Sequence, residues 1–471
     1  MSPSRFSLYA SLVLLMLAGV SFAQLGSTWV SLEDHVGPPD YAFGLNVSPD
    51  GQVYHVAVAG TFSSANRFVA VVDRLSRMVL ARYPVGSYPE EIAYEVLPAT
   101  PTQPPRVRKM FVTNSSSSSV SVLDSGGNAL KTISLGTANY PYGIAMNPAG
   151  NLVGVTTKND RIFLLDVPSL SVVRTLAVAG YHSRVAFLAD GRMVFGSSVP
   201  VSGKTRVTAT FMDPANPTGA RVLELLPPSA GWPSIEDVAL VNNGQEVWFP
   251  LMNADSTIRR VDTSTGVQVG SISLAGYFPS GKLHGIAASG EGLVIATSLG
   301  ASENTVVLLK TAPAQVLTTL TLGIGQQPND AVFTPDAREA CVTMQFGLAG
   351  VHIVTGLPVP PFRLLASTLS PSRGGALQLT LRGAEGYSTS VIGLSITGNG
   401  PTQIVGYSFS LTLPIFPVWQ GGHDIRGQAH PPAIQIPNQA CLKGFRLYLQ
   451  AFVQESGFKF RLSNPLTATI Q

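Results

Sequence analysis

The chain has 471 residues, of which 45% are hydrophobic and only 12% charged, with 46 Gly, 35 Pro and a formal net charge of +3. High hydrophobicity with little net charge excludes a disordered chain, and the near-neutral balance excludes a dedicated nucleic-acid binder, which carries a dense basic patch. A chain this long, rich in Gly, Pro, Ser and Thr, is expected to be a β-protein of more than one domain.

Residues 1–23 read as an export signal. Arg5 is the only charge before the apolar run "LYASLVLLMLAGV", and "SFA" then places small residues at Ser21 and Ala23. A charged start, a short apolar core and a small-x-small site describe a secretory signal peptide, and the run is short for a membrane anchor. The expectation is an exported protein, extracellular or in the cell envelope or periplasm, with no transmembrane segment once the signal is cleaved.

From residue 43 onward one phrase recurs: "FGLNVSPDG", "EEIAYEVLP", "YGIAMNPAG", "SRVAFLADG", "EDVALVNNG", "HGIAASGEG" and "NDAVFTPDA". The second residues of these anchors are Gly44, Glu91, Gly143, Arg184, Asp237, Gly285 and Asp330, at intervals of 47, 52, 41, 53, 48 and 45 residues. Repeats of this period signal stacked or radial architectures. Each anchor is followed by a second apolar run ("KMFVTN", "LVGVTT", "LVIATS") and a third. The third ends at Asp73, Asp124, Asp166, Asp213 and Asp262 in five units, where a carboxylate can bond the amides of the following turn. A fourth run closes each unit. Four short strands repeated seven times predict an all-β, seven-bladed β-propeller with four-stranded blades. The seventh unit lacks a fourth strand, and "STWVSLEDHVG" at 27–37 is expected to supply it and close the ring, removing the open edges. Within this scheme Ser115–Ser119 is a hairpin turn inside one blade rather than a linker.

After "GLPVPPF" the anchor phrase disappears, and residues 362–471 show alternating runs such as "GALQLTLRG" and "GFRLYLQAFV". Period-two alternation punctuated by Gly, Pro and Asn predicts a small antiparallel β-sandwich. The expected domains are therefore a signal peptide (1–23), a propeller (24–361) and a sandwich (362–471). Residues 363–471 hold eight Lys or Arg and three Asp or Glu, which suits a solvated sheet face or attachment to an anionic envelope polymer. The two cysteines, Cys341 and Cys441, each sit in an apolar run; two buried thiols or one disulfide both fit, and no C-x-x-C excludes c-type haem and Cys-rich zinc sites.

The stretch "FVTNSSSSSVSVLD…TISLG…PYGIAMNPAGN" resembles the YVTN-type β-propeller repeat of secreted and surface-layer proteins, a WD-like architecture. Phe111, Val112, Thr113 and Asn114 match the residues that name it, and Val120 to Asp124 match its following strand. The likeness covers roughly 27–356 and fades in "VGVTTK", "MVFGSS" and "VWFPLM". The C-terminal end resembles a module appended to exported bacterial proteins. These likenesses imply a non-enzymatic binding or scaffold protein, with a protein, peptide or glycan ligand at a propeller face. They imply no cofactor.

In a propeller the first strand of each blade lines the central channel, so the anchors hold the candidate site. The candidate ligand-binding residues are Glu90, Tyr142, His182, Glu236, His284 and Asn329. Glu90, Glu236, His284 and Asn329, if convergent, could hold Ca²⁺ or another hard divalent cation and activate water. That gives the alternative of a lactonase-like hydrolase with His284 and Glu236 as catalytic groups. His423, Asp424 and His430 form a weaker candidate metal set. Among the aromatics preceding anchors, Tyr140, Tyr142, Trp232, Tyr277 and Phe278 either pack between blades or contact ligand. A quinoprotein-like oxidoreductase shares the ring architecture but leaves no cofactor signature here, and no G-x-S-x-G elbow or phosphate loop is present.

Overall fold

The computed structural model describes residues 25–32, 41–60, 67–100, 103–301, 303–323, 327–345 and 349–358, together with parts of 363–471. Residues 1–23, expected to be an export signal, and Cys441, His423, Asp424 and His430 lie outside the described residues.

Seven four-stranded antiparallel sheets follow one another along the chain and form the blades of a propeller. Their innermost strands are Tyr41–Val47, Pro89–Leu97, Pro141–Met146, Tyr181–Phe187, Ala239–Val241, Leu283–Ala288 and Pro328–Phe333, for blades 1 to 7. Each blade hides both faces against its neighbours, so its middle strands bury apolar residues on both faces. Phe68, Ala70 and Val72 of blade 1, for example, share a layer with Cys341, Val351 and Ile353 of blade 7. The outermost strands alternate instead, as in "ALKTIS", where only Ile133 is buried.

The turns follow the expected chemistry. Asp73, Asp124, Asp166, Asp213 and Asp262 each leave a third strand and accept amide hydrogen bonds of 2.6–2.9 Å from residues two to four positions on. The turn donors hold the Asp73, Asp124, Asp166 and Asp262 carboxyls below the usual carboxylate range. The Ser76 and Thr265 amides lead for Asp73 and Asp262, and the Asn128 and Ser169 side chains lead for Asp124 and Asp166. The serine run turns between Arg106–Asn114 and Ser119–Asp124 of blade 2, with Ser118 at φ 46° and its amide bonded to Ser115 O.

Ring closure also matches expectation. The strand Gly26–Ser31 pairs antiparallel with Gly350–Thr355 and becomes the outer strand of blade 7. The Trp29 ring lies against His352, with centroids 5.0 Å apart, and covers Gly350, where an added Cβ would meet the indole at 2.1 Å. A second clasp joins blades 1 and 7. Arg74 and Arg77 bind Glu339 at 3.0 and 2.8 Å, Arg74 also reaches Asp336, and Tyr54 donates to Glu339. Cys341 is a buried free thiol, its pKa raised by burial.

The described strands from residue 363 onward also pair antiparallel. Thr389–Ser395, Phe416–Gly422, Arg446–Glu455, Lys459–Leu462 and Leu466–Thr469 form one sheet, with three two-stranded pairs beside it. Leu379, Leu381, Ile392, Leu449, Val453 and Ala468 belong to a core of their own.

Candidate functional site

A β-bulge breaks the inner strand of six blades, and each time it falls on the anchor pair. The register shifts lie between Ala42 and Leu45, Pro89 and Ile92, Pro141 and Ile144, His182 and Val185, Leu283 and Ile286, and Pro328 and Ala331. In blade 5 the strand begins only at Ala239, after the pair. A bulge removes two residues from the ladder and re-aims them, which is how each blade offers its anchor pair to the channel.

The amide stranded at the bulge needs a partner. Thr113, Thr156, Thr297 and Thr343 on the second strands accept it through Oγ1, from Glu91, Gly143, Gly285 and Asp330, at 3.0–3.1 Å. Three of these hydroxyls also donate to the next blade, at Tyr142 O, Ser183 O and Asn329 O. The Thr of "FVTN" is thus a bulge support and an inter-blade link together.

The second anchor residues form the channel waist. Arg184 of blade 4 is buried there among Glu91 of blade 2, Asp237 of blade 5 at 3.4 Å and Asp330 of blade 7 at 2.5 Å, with its Nε against Glu91. Asp237 and Asp330 also cap neighbouring blades, accepting from Ile286 N at 2.8 Å and Leu45 N at 3.1 Å. Gly fills blades 1, 3 and 6 because the next blade is too close: an added Cβ would lie 2.2 Å from Glu90 O at Gly44 and 2.5 Å from Arg184 Cα at Gly143. Burial alone would lower the pKa of Arg184, but Asp330, Glu91 and Asp237 outweigh it and raise it. Burial raises the Glu91 carboxyl and pushes Asp237 up to about 7, against the pull of Arg184. Beyond the waist the channel opens into a cavity of about 270 Å³.

The opposite side, reached by the loops preceding the anchors, is the mouth. Lys158, from the turn after the second strand of blade 3, extends its ammonium to 4.2 Å from the Tyr142 ring centroid and 3.1 Å from Glu90 Oε1. Tyr181 Oη donates to Glu236 Oε2 at 3.1 Å, and Ser234 Oγ donates to Glu236 Oε1 at 2.7 Å. Burial raises the Tyr142 and Tyr181 phenols, and the charge of Glu236 adds to the rise. Beside this group lies a pocket of about 410 Å³ between blades 3, 4 and 5, lined by Asp160, Tyr181, Pro200, Trp232, Glu236 and Met252 among others. Trp232 stands 75% exposed at φ 56°, on a loop pinned by the reciprocal backbone bonds of Ser234 and Met252.

The expected site residues therefore divide. Glu90, Tyr142 and Glu236 come together at the mouth with Lys158 and Tyr181. His284 is buried beside them, its Nδ1–H donating to Asn329 O at 3.1 Å; burial lowers its pKa against the opposing charge of Glu236. Asn329 is buried and serves through that carbonyl. His182 turns into blade 4, between Ser197 Oγ, Val178 O and the Phe195 ring, away from the mouth. Among the described residues no group of three or more His, Cys, Asp or Glu side chains could hold a metal ion. Of the aromatics before anchors, Trp232, Tyr140 and Tyr277 are exposed, whereas Tyr142 and Phe278 are packed. Sequence reasoning missed Lys158 and Tyr181. Lys158 sits in "KNDR", where polar turn residues are ordinary, and its one signal is a long cation at a position held by Ser or Asn in "FVTNSSSS" and "LMNADS".

Three solved structures show what the fold resembles. Kuenenia stuttgartiensis hydrazine synthase superposes with a TM-score of 0.55 at 18% identity, over 69% of this chain and 99% of that one. A streptogramin B lyase gives 0.53 at 16%, over 70% and 97%, and virginiamycin B lyase from Staphylococcus aureus gives 0.53 at 16%, over 70% and 99%. The class these likenesses define is the seven-bladed β-propeller. No protein-family model and no curated protein matches the chain. Among the described residues no helix is long and apolar enough to cross a membrane.

Proposed function

We propose that the protein is an exported, non-enzymatic binding propeller of the YVTN-like kind, with its ligand seated at the channel mouth between blades 3, 4 and 5. The observation that carries this is the preformed pocket of about 410 Å³, with Trp232 held exposed on a pinned loop beside Tyr181 and Glu236. Ligand sites are concave, mostly apolar and furnished with a few placed polar groups, and this pocket has that composition. The groups that chemistry would need are already engaged: Glu90 by Lys158, Glu236 by two hydroxyls, His284 by a carbonyl. The partner is a protein, peptide or glycan segment, and no metal or cofactor enters the proposal. Residues 362–471 are taken as an antiparallel β-sandwich that attaches the protein to an anionic envelope polymer, on the strength of their eight basic and three acidic side chains.

A glycan and peptide binding screen against the wild-type and Trp232→Ala proteins tests the mouth. Binding that survives loss of Trp232 unchanged would place the ligand elsewhere. Cell fractionation with and without residues 363–471 tests attachment, and identical partitioning would dismiss it. A second possibility, metal-assisted hydrolysis, draws on one observation: the charge of Glu236 acts on His284. Lactone or ester turnover that disappears in both Glu236→Gln and His284→Ala would establish it in place of the binding role.

A further inference from the structure

The mouth already holds an organic cation, and that cation is its own. The Lys158 ammonium sits 4.2 Å from the Tyr142 ring centroid and 5.9 Å from that of Tyr181, whose rings are 6.2 Å apart, and Glu90 closes the cage at 3.1 Å. Aromatic faces carry negative potential and hold ammonium groups best when water is partly excluded.

The adjoining pocket repeats this chemistry without a cation to fill it. Its walls are Tyr181, Trp232, Pro200, Pro233 and Met252, and the charges it adds to Lys158 are the carboxylates of Asp160 and Glu236. The Glu236 oxygens accept from hydroxyls, Asp160 Oδ1 accepts from Gly180 N at 2.5 Å, and neither carboxylate has an ion-pair partner among the described residues. Lys158, by contrast, is compensated by Glu90. An anion entering here meets two unpaired carboxylates; a cation with an apolar body meets an aromatic wall and a favourable field.

We propose that the pocket beside Trp232 binds an organic ammonium group carrying an apolar body, the chemistry shared by small quaternary or alkyl ammonium compounds and the lysine side chain of a peptide. Trp232 and Tyr181 contact the apolar shell of the cation, and Glu236 and Asp160 supply the opposing charge. This assignment rests on the mouth being the ligand site.

The test is a titration, followed by tryptophan fluorescence and calorimetry, with probes of one shape and different charge. Choline, its uncharged carbon isostere 3,3-dimethylbutan-1-ol and the anion 3,3-dimethylbutyrate form one arm. A lysine-containing pentapeptide and its Nε-acetylated form make the other. At least one cationic probe should bind about tenfold more tightly than its neutral counterpart, the excess expected of a desolvated cation–π contact. Trp232→Ala should weaken cationic and neutral probes alike, and Glu236→Gln should remove the preference for charge while leaving the neutral probe within about twofold. Choline binding alone identifies a small-molecule site, and lysine-peptide binding alone a peptide site; either supports the assignment. Equal affinity of cation and isostere, or tighter binding of the anion, overturns it but leaves the mouth as the ligand site where Trp232→Ala abolishes both. Absence of binding by every cationic probe at millimolar concentration overturns it as well, whereas the glycan and peptide screen decides separately whether the mouth binds anything.

Discussion

Arg184 is one guanidinium shared by three buried carboxylates. Taking charges out of water costs several kcal/mol each, and mutual attraction recovers this only while every partner is present. Arg184→Met should therefore lose about 3–5 kcal/mol of stability in denaturant unfolding, since it leaves Glu91, Asp237 and Asp330 buried without a counter-charge. The same cluster makes stability depend on pH. Folded Asp237 holds its proton up to about 7, against 3.8 for the ordinary group, so its contribution is complete below the lower value and is lost as pH rises through about 7. His55 and His182 act in the opposite direction. Burial holds both imidazoles neutral down to about 4, so their contribution is present above 6.5 and is lost as pH falls towards 4. The two windows overlap, so the terms oppose one another between about 4 and 6.5. In thermal unfolding from pH 4 to 8 the Asp237→Asn variant should gain stability relative to the wild type as pH rises towards 7 and hold that difference above it. A difference between the two proteins that does not change with pH would mean that Asp237 is not the group responsible.

At the scale of the element, the bulge and its threonine decide where side chains point. Thr113→Val keeps shape and β-propensity but strands the Glu91 amide and removes the bond to Tyr142 O. A buried unsatisfied group costs about 1–3 kcal/mol; unfolding should show that loss, and Thr113→Ser should recover part of it. The blades themselves are legible in the sequence, because strands, turn carboxylates and anchors recur in the same order at intervals of 41 to 53 residues. The bulge is not. A strand with one displaced residue pair keeps its apolar residues, so "YGIAM" reads the same whether Tyr142 and Gly143 lie in the ladder or outside it. The anchors name Glu90, Tyr142 and Glu236, which lie at the mouth. They also suggest His182, whose ring is turned into blade 4 by partners at Val178 and Ser197. Lys158 reaches the mouth from a turn of no fixed composition, and only the folded ring reveals that it shares a pocket with Trp232.

For the whole molecule, the closing strand and the Arg74–Arg77–Glu339 clasp make one ring of seven otherwise local units. Each blade buries its faces only against neighbours, so opening one junction exposes two apolar surfaces. Removal of residues 25–32 takes away Trp29 and Val30 and uncovers the edge at Gly350–Thr355. Such an edge is a template for pairing with another chain. The truncated protein should be cleaved faster by protease within blade 7 and should aggregate at lower temperature; unchanged proteolysis would show that the clasp alone closes the ring. The propeller clusters draw on residues up to Leu357, and the C-terminal core begins at Leu377. Among the described residues no cluster spans both, so residues 24–361 expressed alone should keep the thermal transition of the propeller.

The pairing of Gly26–Ser31 with Gly350–Thr355 also separates chain order from spatial order. During synthesis the closing strand is made before any blade, yet it has no partner until Gly350 has been made, and in the interval each finished blade can stack on the one before it. The ring is thus assembled as an open arc whose two ends are the first and last parts of the propeller to appear. A socket that waits this long for its own strand can equally be filled by the same strand from a second molecule, or by a synthetic peptide spanning residues 25–32 added to a chain that lacks it.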